Sequence, residues 1–205
     1  MHMKMKIGLP KGRFHEKSVN IIQNNCKLDG FRENKLVYES SKCLFFLLKT
    51  QDICSLLMSK HIDVGIVSDE WILEYEIKHN IKFTCLKKLP WINTRMSLIS
   101  ENDQSIHTEC SVASSFPSIS QRYLEKKGIS NNANYNIHSL SGSIEATVPN
   151  MFSFGIDCVE SGKTIQDNNL KEIDVIYDNL GMSIITANNL FDHKMINNIL
   201  SMNND

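Results

Sequence analysis

Short apolar runs alternate with amphipathic segments along most of this 205-residue sequence, and that alternation restricts the chain to layered α/β folds. Lys6-Ile7-Gly8-Leu9-Pro10 has the length and apolar content of a buried strand, after which Val19, Ile22 and Cys26 recur at helical spacing. Asp52 is placed to cap a helix carrying Ile53, Leu56 and Leu57. The run Asp63-Val64-Gly65-Ile66-Val67 predicts the next strand, and a helix with Trp71, Ile72 and Leu73 follows from near Ser68. The pattern breaks at Pro90, and a new series of strands begins with Met96-Ser97-Leu98-Ile99.

Cys110-Ser111-Val112-Ala113 predicts a strand, and Ser118 can cap a helix from Ile119 to Lys127 that stops at Gly128. The Asn-rich stretch Asn131 to Asn136 is the best loop candidate. Further strands are expected at Ile137-His138-Ser139-Leu140, around Ile156, and at Val175-Ile176-Tyr177, with Met182 to Ile185 returning toward the first domain. Phe191, Met195, Ile196, Ile199 and Leu200 fall on one helical stripe, which predicts a C-terminal helix. Crossovers near residues 92 and 178 give a first domain of residues 1–92 plus 179–205 and a second of residues 93–178.

The charge balance limits the partners. Lys plus Arg total 22 against 23 Asp plus Glu, so a net charge of −1 offers no broad field for nucleic acid or an anionic membrane, and an anionic ligand needs a local site. No stretch approaches the roughly 20 apolar residues of a spanning helix, and Met-His-Met-Lys-Met-Lys lacks the apolar core of a secretion signal, so a cytoplasmic protein is expected. Six dispersed cysteines form no C-x-x-C pair, and the histidines have no metal-ligand spacing.

The segment Glu160-Ser161-Gly162-Lys163-Thr164 resembles the end of a Walker A loop, but that loop needs a glycine five positions before Gly162, where this chain has Asp157. What remains is a strand ending in acidic residues and a small, hydroxyl-rich turn feeding a helix. Such a turn suits a phosphorylated sugar: free backbone N–H groups and the Ser161 and Thr164 hydroxyls favour a phosphate, Gly162 permits close backbone approach, and Asp157 and Glu160 can accept hydrogen bonds from ribose hydroxyls. The same residues also fit a plain turn, with Thr164 as a helix cap.

Taken in order, the motifs resemble the ATP phosphoribosyltransferase family. Ile7-Gly8-Leu9-Pro10-Lys11-Gly12-Arg13 is similar to its opening strand and Pro-Lys-Gly-Arg turn, and Gln51-Asp52-Ile53, Asp63-Val64-Gly65-Ile66-Val67 and Glu74 to its next signature. Phe116-Pro117 with Arg122-Tyr123, Leu140-Ser141-Gly142-Ser143-Ile144-Glu145, and Asp157 to Ile165 match later motifs, the last being the loop for phosphoribosyl pyrophosphate (PRPP). The resemblance implies two α/β domains like those of type II periplasmic binding proteins, with the active site in the interdomain cleft. It implies attack by N1 of the ATP adenine on C1 of PRPP, release of pyrophosphate with Mg2+, and the first step of histidine biosynthesis. Lys11, Arg13 and Lys49 become candidate catalytic cations, and Asp157, Glu160, Ser161, Gly162, Lys163, Thr164 and Glu145 candidate PRPP ligands. Glu145 serves the ribose or magnesium, or only caps the turn after Gly142. The length is that of the short form, which implies a homodimer or a hetero-oligomer with a regulatory subunit resembling histidyl-tRNA synthetase.

Several positions depart from the family pattern. Asn34 replaces an arginine, with Lys35 or Arg32 as possible substitutes, and Lys49 also replaces an arginine, which keeps the charge but loses bidentate geometry. Cys54 stands for a proline, Lys60 and Ser68 for glycines, Glu70 for an aspartate and Ser153 for an acidic residue. These changes leave open a paralogous transferase acting on another base, or a non-catalytic binder of a phosphorylated ligand.

Overall fold

The computed structural model describes residues 4–26, 34–103, 105–106, 110–129, 135–188 and Ile196. Its chain divides into two compact units, one of Met1–Ile72, Ile81–Pro90 and Met182–Asp205, the other of Leu73–Asn80 and Trp91–Gly181.

The first unit is built on β1 (Met5–Pro10), which pairs in parallel with β3 (Cys43–Leu48) on one side and β4 (Val64–Ser68) on the other. Strand β2 (Val37–Glu39) adds antiparallel to β3, and the last residues of β9 (Lys171–Thr186) pair antiparallel with β4, Gly65 opposite Ile185. Helices α1 (His15–Asn25), α2 (Thr50–Met58) and the first turn of α3 (Asp69–His79) follow β1, β3 and β4 in turn. Such β-helix-β steps produce parallel strands, and β4 is buried along its whole length, as parallel strands covered on both faces are. Ile7, Leu9, Phe45, Ile53, Leu57 and Ile66 form the fully buried core of this unit.

In the second unit the strand order is β5-β8-β6-β7, from β5 (Thr84–Ser100), β6 (Ser111–Ser114), β7 (Asn136–Ser139) and β8 (Phe154–Val159). Strand β6 is parallel to both β7 and β8, while β5 runs antiparallel to β8 with Arg95 opposite Val159. Helix α4 (Pro117–Lys126) follows β6, and the short α5 (Lys163–Asp167) follows β8. Pro117 occupies the start of α4, where its missing N–H costs nothing, and Ile119, Tyr123 and Leu124 form the helix's buried face.

Several expectations need correction. Pro90 does not interrupt the chain's extended path: β5 runs through it, because Pro90 is exposed and lies outside the pairing with β8, where its lack of a donor is harmless. Asp52 is not a cap but lies in the first turn of a helix that already begins at Thr50. Ser118 gives no side-chain cap to α4; a carboxylate from α3 supplies it, as described below. The runs at Val175 and Met182 are one strand, β9. Residues 131–134 of the Asn-rich stretch, and the expected C-terminal helix apart from the buried Ile196, lie outside the described residues.

Candidate active site

In both units the predicted site residues follow the C-terminal ends of parallel strands, the edge at which open α/β sheets bind ligands. In the second unit three such ends come together. Ser114, the last residue of β6, donates its hydroxyl to the Ile156 carbonyl of β8 at 2.9 Å and accepts the Phe116 N–H at 2.9 Å, while its own carbonyl takes the Leu140 N–H at 3.0 Å. The Leu140-to-Glu145 turn is then folded onto β8. Gly155 makes this possible, because a Cβ there would stand 2.7 Å from Ile144 Cγ2. Ile144, Val159 and Ile165 share one buried cluster, so the turn carrying Glu145 and the loop carrying Glu160 to Thr164 rest on the same core.

The loop itself is a tight turn. Asp157 and Cys158 are the half-buried last residues of β8 before Val159, Glu160 and Ser161 are exposed, and Gly162 has φ +76°, a conformation that side-chain-bearing residues rarely adopt. Helix α5 then starts at Lys163 with no side-chain cap at Gly162, the Lys163 N–H meeting only Ser161 Oγ at 3.3 Å. Ser161, Lys163 and Thr164 are all exposed around this turn. Glu145 is half-buried in a one-turn 310 helix, Ile144–Thr147, entered through Ser143 at φ +55°.

Behind the loop stands a pair that local sequence patterns did not reveal. Arg95 of β5 donates from Nε to Glu172 Oε2 at 2.7 Å and from Nη2 to Glu172 Oε1, and its Nη1 donates to the Glu160 carbonyl at 3.2 Å. Ser97 adds its hydroxyl to Glu172 Oε2 at 2.8 Å. The guanidinium hydrogen bonds hold the Glu172 carboxyl below the usual range, and the carboxylate in turn raises Arg95.

A second carboxylate of this unit is also engaged. Glu74, 6% exposed, accepts the N–H groups of Ser118 and Ile119 at 2.9 Å each, so the start of α4 holds a built-in anion.

At the corresponding edge of the first unit, Lys11 follows β1 and Lys49 follows β3, and the Lys11 N–H donates to the Leu48 carbonyl at 2.8 Å. The two lysines thus leave neighbouring strand ends. Arg13 is half-exposed, with its guanidinium over the Phe14 ring at 4.8 Å and 3.7 Å from the Glu70 carboxylate. Glu70 is buried in the first turn of α3, and burial pushes its carboxyl up, against a hydrogen bond from Ser68 and the charge of Arg13. Asp69 beside it accepts Ser183 Oγ at 2.5 Å and Lys88 Nζ at 2.7 Å.

The departures from the family pattern separate by place. Ser68 and Glu70 belong to this edge, and Lys49 stands just before α2 there with its side chain exposed and no cap bond to the helix. Lys60 does not: it has φ +59° in the turn after α2 that leads to the opposite end of β4. Ser153 precedes β8, bonded to Ser111 and Ser100, a strand's length from the loop. Lys35 stacks over the Tyr38 ring at 5.0 Å, and Arg32 lies outside the described residues.

The fold is one shared with solute-binding proteins: an ancestral arginine-binding protein solved with arginine aligns at TM-score 0.54 over 98% of this chain and 92% of that one, at 11% identity. The family comparisons concern the chain as a whole. The profile described as "HisG: ATP phosphoribosyltransferase" matches residues 49–203, and the chain belongs to this family. The ATP phosphoribosyltransferase of Helicobacter hepaticus is 29% identical over 198 residues, 93% of this chain and 91% of that one. A solved ATP phosphoribosyl transferase (HisG:HisZ) complex from Thermotoga maritima aligns at TM-score 0.76 with 26% identity, over 89% of this chain and 87% of that one. The chain is an enzyme that transfers a phosphoribosyl group to ATP, the first step of histidine biosynthesis.

Proposed function

We propose that the turn from Asp157 to Ile165 holds the phosphoribose of PRPP while N1 of the ATP adenine forms a bond to C1 and the C1–O bond to pyrophosphate breaks. The observation that supports this most is the uncapped turn at Gly162, ringed by the exposed Ser161, Lys163 and Thr164. Its N–H groups and hydroxyls take the 5′-phosphate, and Asp157, Glu160 and Glu145 serve the ribose hydroxyls. Lys11, Arg13 and Lys49 contact phosphate oxygens of the substrates, where negative charge grows as pyrophosphate departs. The reaction needs no protein nucleophile, so its rate comes from alignment of the two substrates and from fixed positive charge.

Magnesium belongs to this reading as a companion of the diphosphate. Among the described residues no three His, Cys, Asp or Glu side chains converge as a metal site, which suits an ion liganded mainly by substrate oxygens and water, with Glu145 the carboxylate on hand. The group would offset charge on the diphosphate. By extension from the HisG:HisZ complex of Thermotoga maritima, this chain assembles with a regulatory subunit resembling histidyl-tRNA synthetase. It works in the cytoplasm; among the described residues no helix is long and apolar enough to cross a membrane.

The test is pyrophosphate release from PRPP, with the regulatory subunit present, supplied with ATP, with other nucleotides and free bases, or with no acceptor. Release dependent on ATP supports the reading. Release only with another base, or none with any acceptor, overturns it. In the same assay Thr164→Val, which removes one phosphate donor, lowers kcat/KM for PRPP by about 10-fold.

A further inference from the structure

Arg95 is attached to the backbone of the phosphoribose turn rather than pointed away from it. Three observations define the attachment. Both oxygens of Glu172 grip one side of the guanidinium, through Nε at 2.7 Å and through Nη2. Nη1 reaches the carbonyl of Glu160, the residue that follows β8, at 3.2 Å. A Cβ placed on Gly162 would lie 3.5 Å from Nη2 and 3.7 Å from Glu172 Oε1, so the ion pair lies alongside the glycine that leads into α5. Glu172 is itself fixed, since Ser97, two residues along the same face of β5, donates to it at 2.8 Å. Arg95 also sits opposite Val159 in the β5–β8 register, at the last residue before the turn.

We infer that Arg95 is a positioning residue for the phosphoribosyl donor: clamped by Glu172, it fixes the Glu160 carbonyl and thereby the directions of the N–H groups from Ser161 to Thr164. The inference rests on the reading of this loop as the phosphoribose site. A purely structural role fits the geometry poorly. The side chains are 30% and 24% exposed, so water partly screens the pair and limits its contribution to global stability. A small misplacement of donors around a phosphate has a large effect on binding. Lysine cannot stand in, because a single ammonium cannot hold a carboxylate edge and a carbonyl in one plane.

The experiment measures PRPP and ATP affinities by calorimetry on the full chain for wild type, Arg95→Lys, Arg95→Gln and Thr164→Val, with melting temperatures alongside. A binding readout needs neither turnover nor a partner. Both Arg95 variants are expected to lose PRPP affinity by about 10-fold or more, with ATP affinity within about twofold and melting near wild type. PRPP affinity kept in both Arg95 variants but lost in Thr164→Val overturns the inference while leaving the loop reading intact. Affinity kept in all three removes the loop reading and the inference with it. Equal losses for PRPP and ATP together with lowered melting make Arg95 merely structural and also overturn it.

Discussion

Helices α4 and α5 begin at the same edge of the second unit, each after a strand of the same parallel set, yet their first turns are completed in opposite ways. At α4 the buried Glu74 carboxylate takes the N–H groups of Ser118 and Ile119. At α5 no side chain caps Gly162, and hydroxyls and a lysine stand exposed around the turn. The first start is closed by the chain's own anion; on the reading proposed above, the second offers its donors to the phosphate of a ligand. Helix length does not explain the difference in the expected direction, since α5 has 5 residues against 10 for α4 and so carries the weaker dipole. On that reading, the anion is held by the local N–H groups and hydroxyls that the left-handed Gly162 arranges.

The largest effect should come from closing the open turn. Gly162→Val forces a β-branched residue into φ +76°, which costs about 1–2 kcal/mol, and sets its side chain against the Arg95–Glu172 pair. The turn then reshapes, and PRPP affinity falls by at least ~100-fold with the circular dichroism spectrum retained. Calorimetry with PRPP checks this, and unchanged affinity would erase the contrast between the two helix starts. Opening the closed start has the reverse signature. Glu74→Ala leaves the buried Ile119 N–H and the partly buried Ser118 N–H unpaired and lowers unfolding free energy by about 2 kcal/mol, measured in urea, while PRPP affinity stays at wild-type level. A loss of PRPP affinity without a loss of stability would move Glu74 from the scaffold to the site.

That contrast also marks what the sequence made legible. The loop from Asp157 to Ile165 stood out as a candidate because its hydroxyls, glycine and carboxylates lie within a few consecutive residues, and a missing glycine at position 157 sufficed to separate it from a nucleotide P-loop. The α/β layering was readable from the alternation of runs. Strand β3 went unrecognised although Cys43 to Leu48 is a continuous apolar run, the pattern of a strand buried on both faces. Glu74 stood in a recognised motif, but its partners lie 44 and 45 residues further on, so nothing local distinguished a helix cap from a ligand contact. Arg95 and Glu172 are 77 residues apart and belong to no motif; only the return of β9 beside the loop joins them. Contacts made by topology rather than by spacing are invisible until the strands are paired.

The smallest predicted effect concerns the α5 start and is read against pH. The Arg95 hydrogen bonds hold the folded-state pKa of Glu172 below its unfolded value, so its contribution to stability is present above the unfolded pKa, near 4.5, and is lost as pH falls through the depressed folded value. Protonation removes an acceptor from the guanidinium and weakens the support of the Glu160 carbonyl, which loosens the α5 start. Glu172→Gln should therefore flatten the acid limb of the stability curve below about pH 4.5, leaving the neutral-pH value slightly lower because the pair is partly exposed. Urea unfolding of both forms from pH 3 to 7, a range set around that ~4.5 reference, reads the difference directly. An acid limb as steep in Glu172→Gln as in wild type would show that the clamp behind the phosphoribose turn is not where this edge of the protein senses acid.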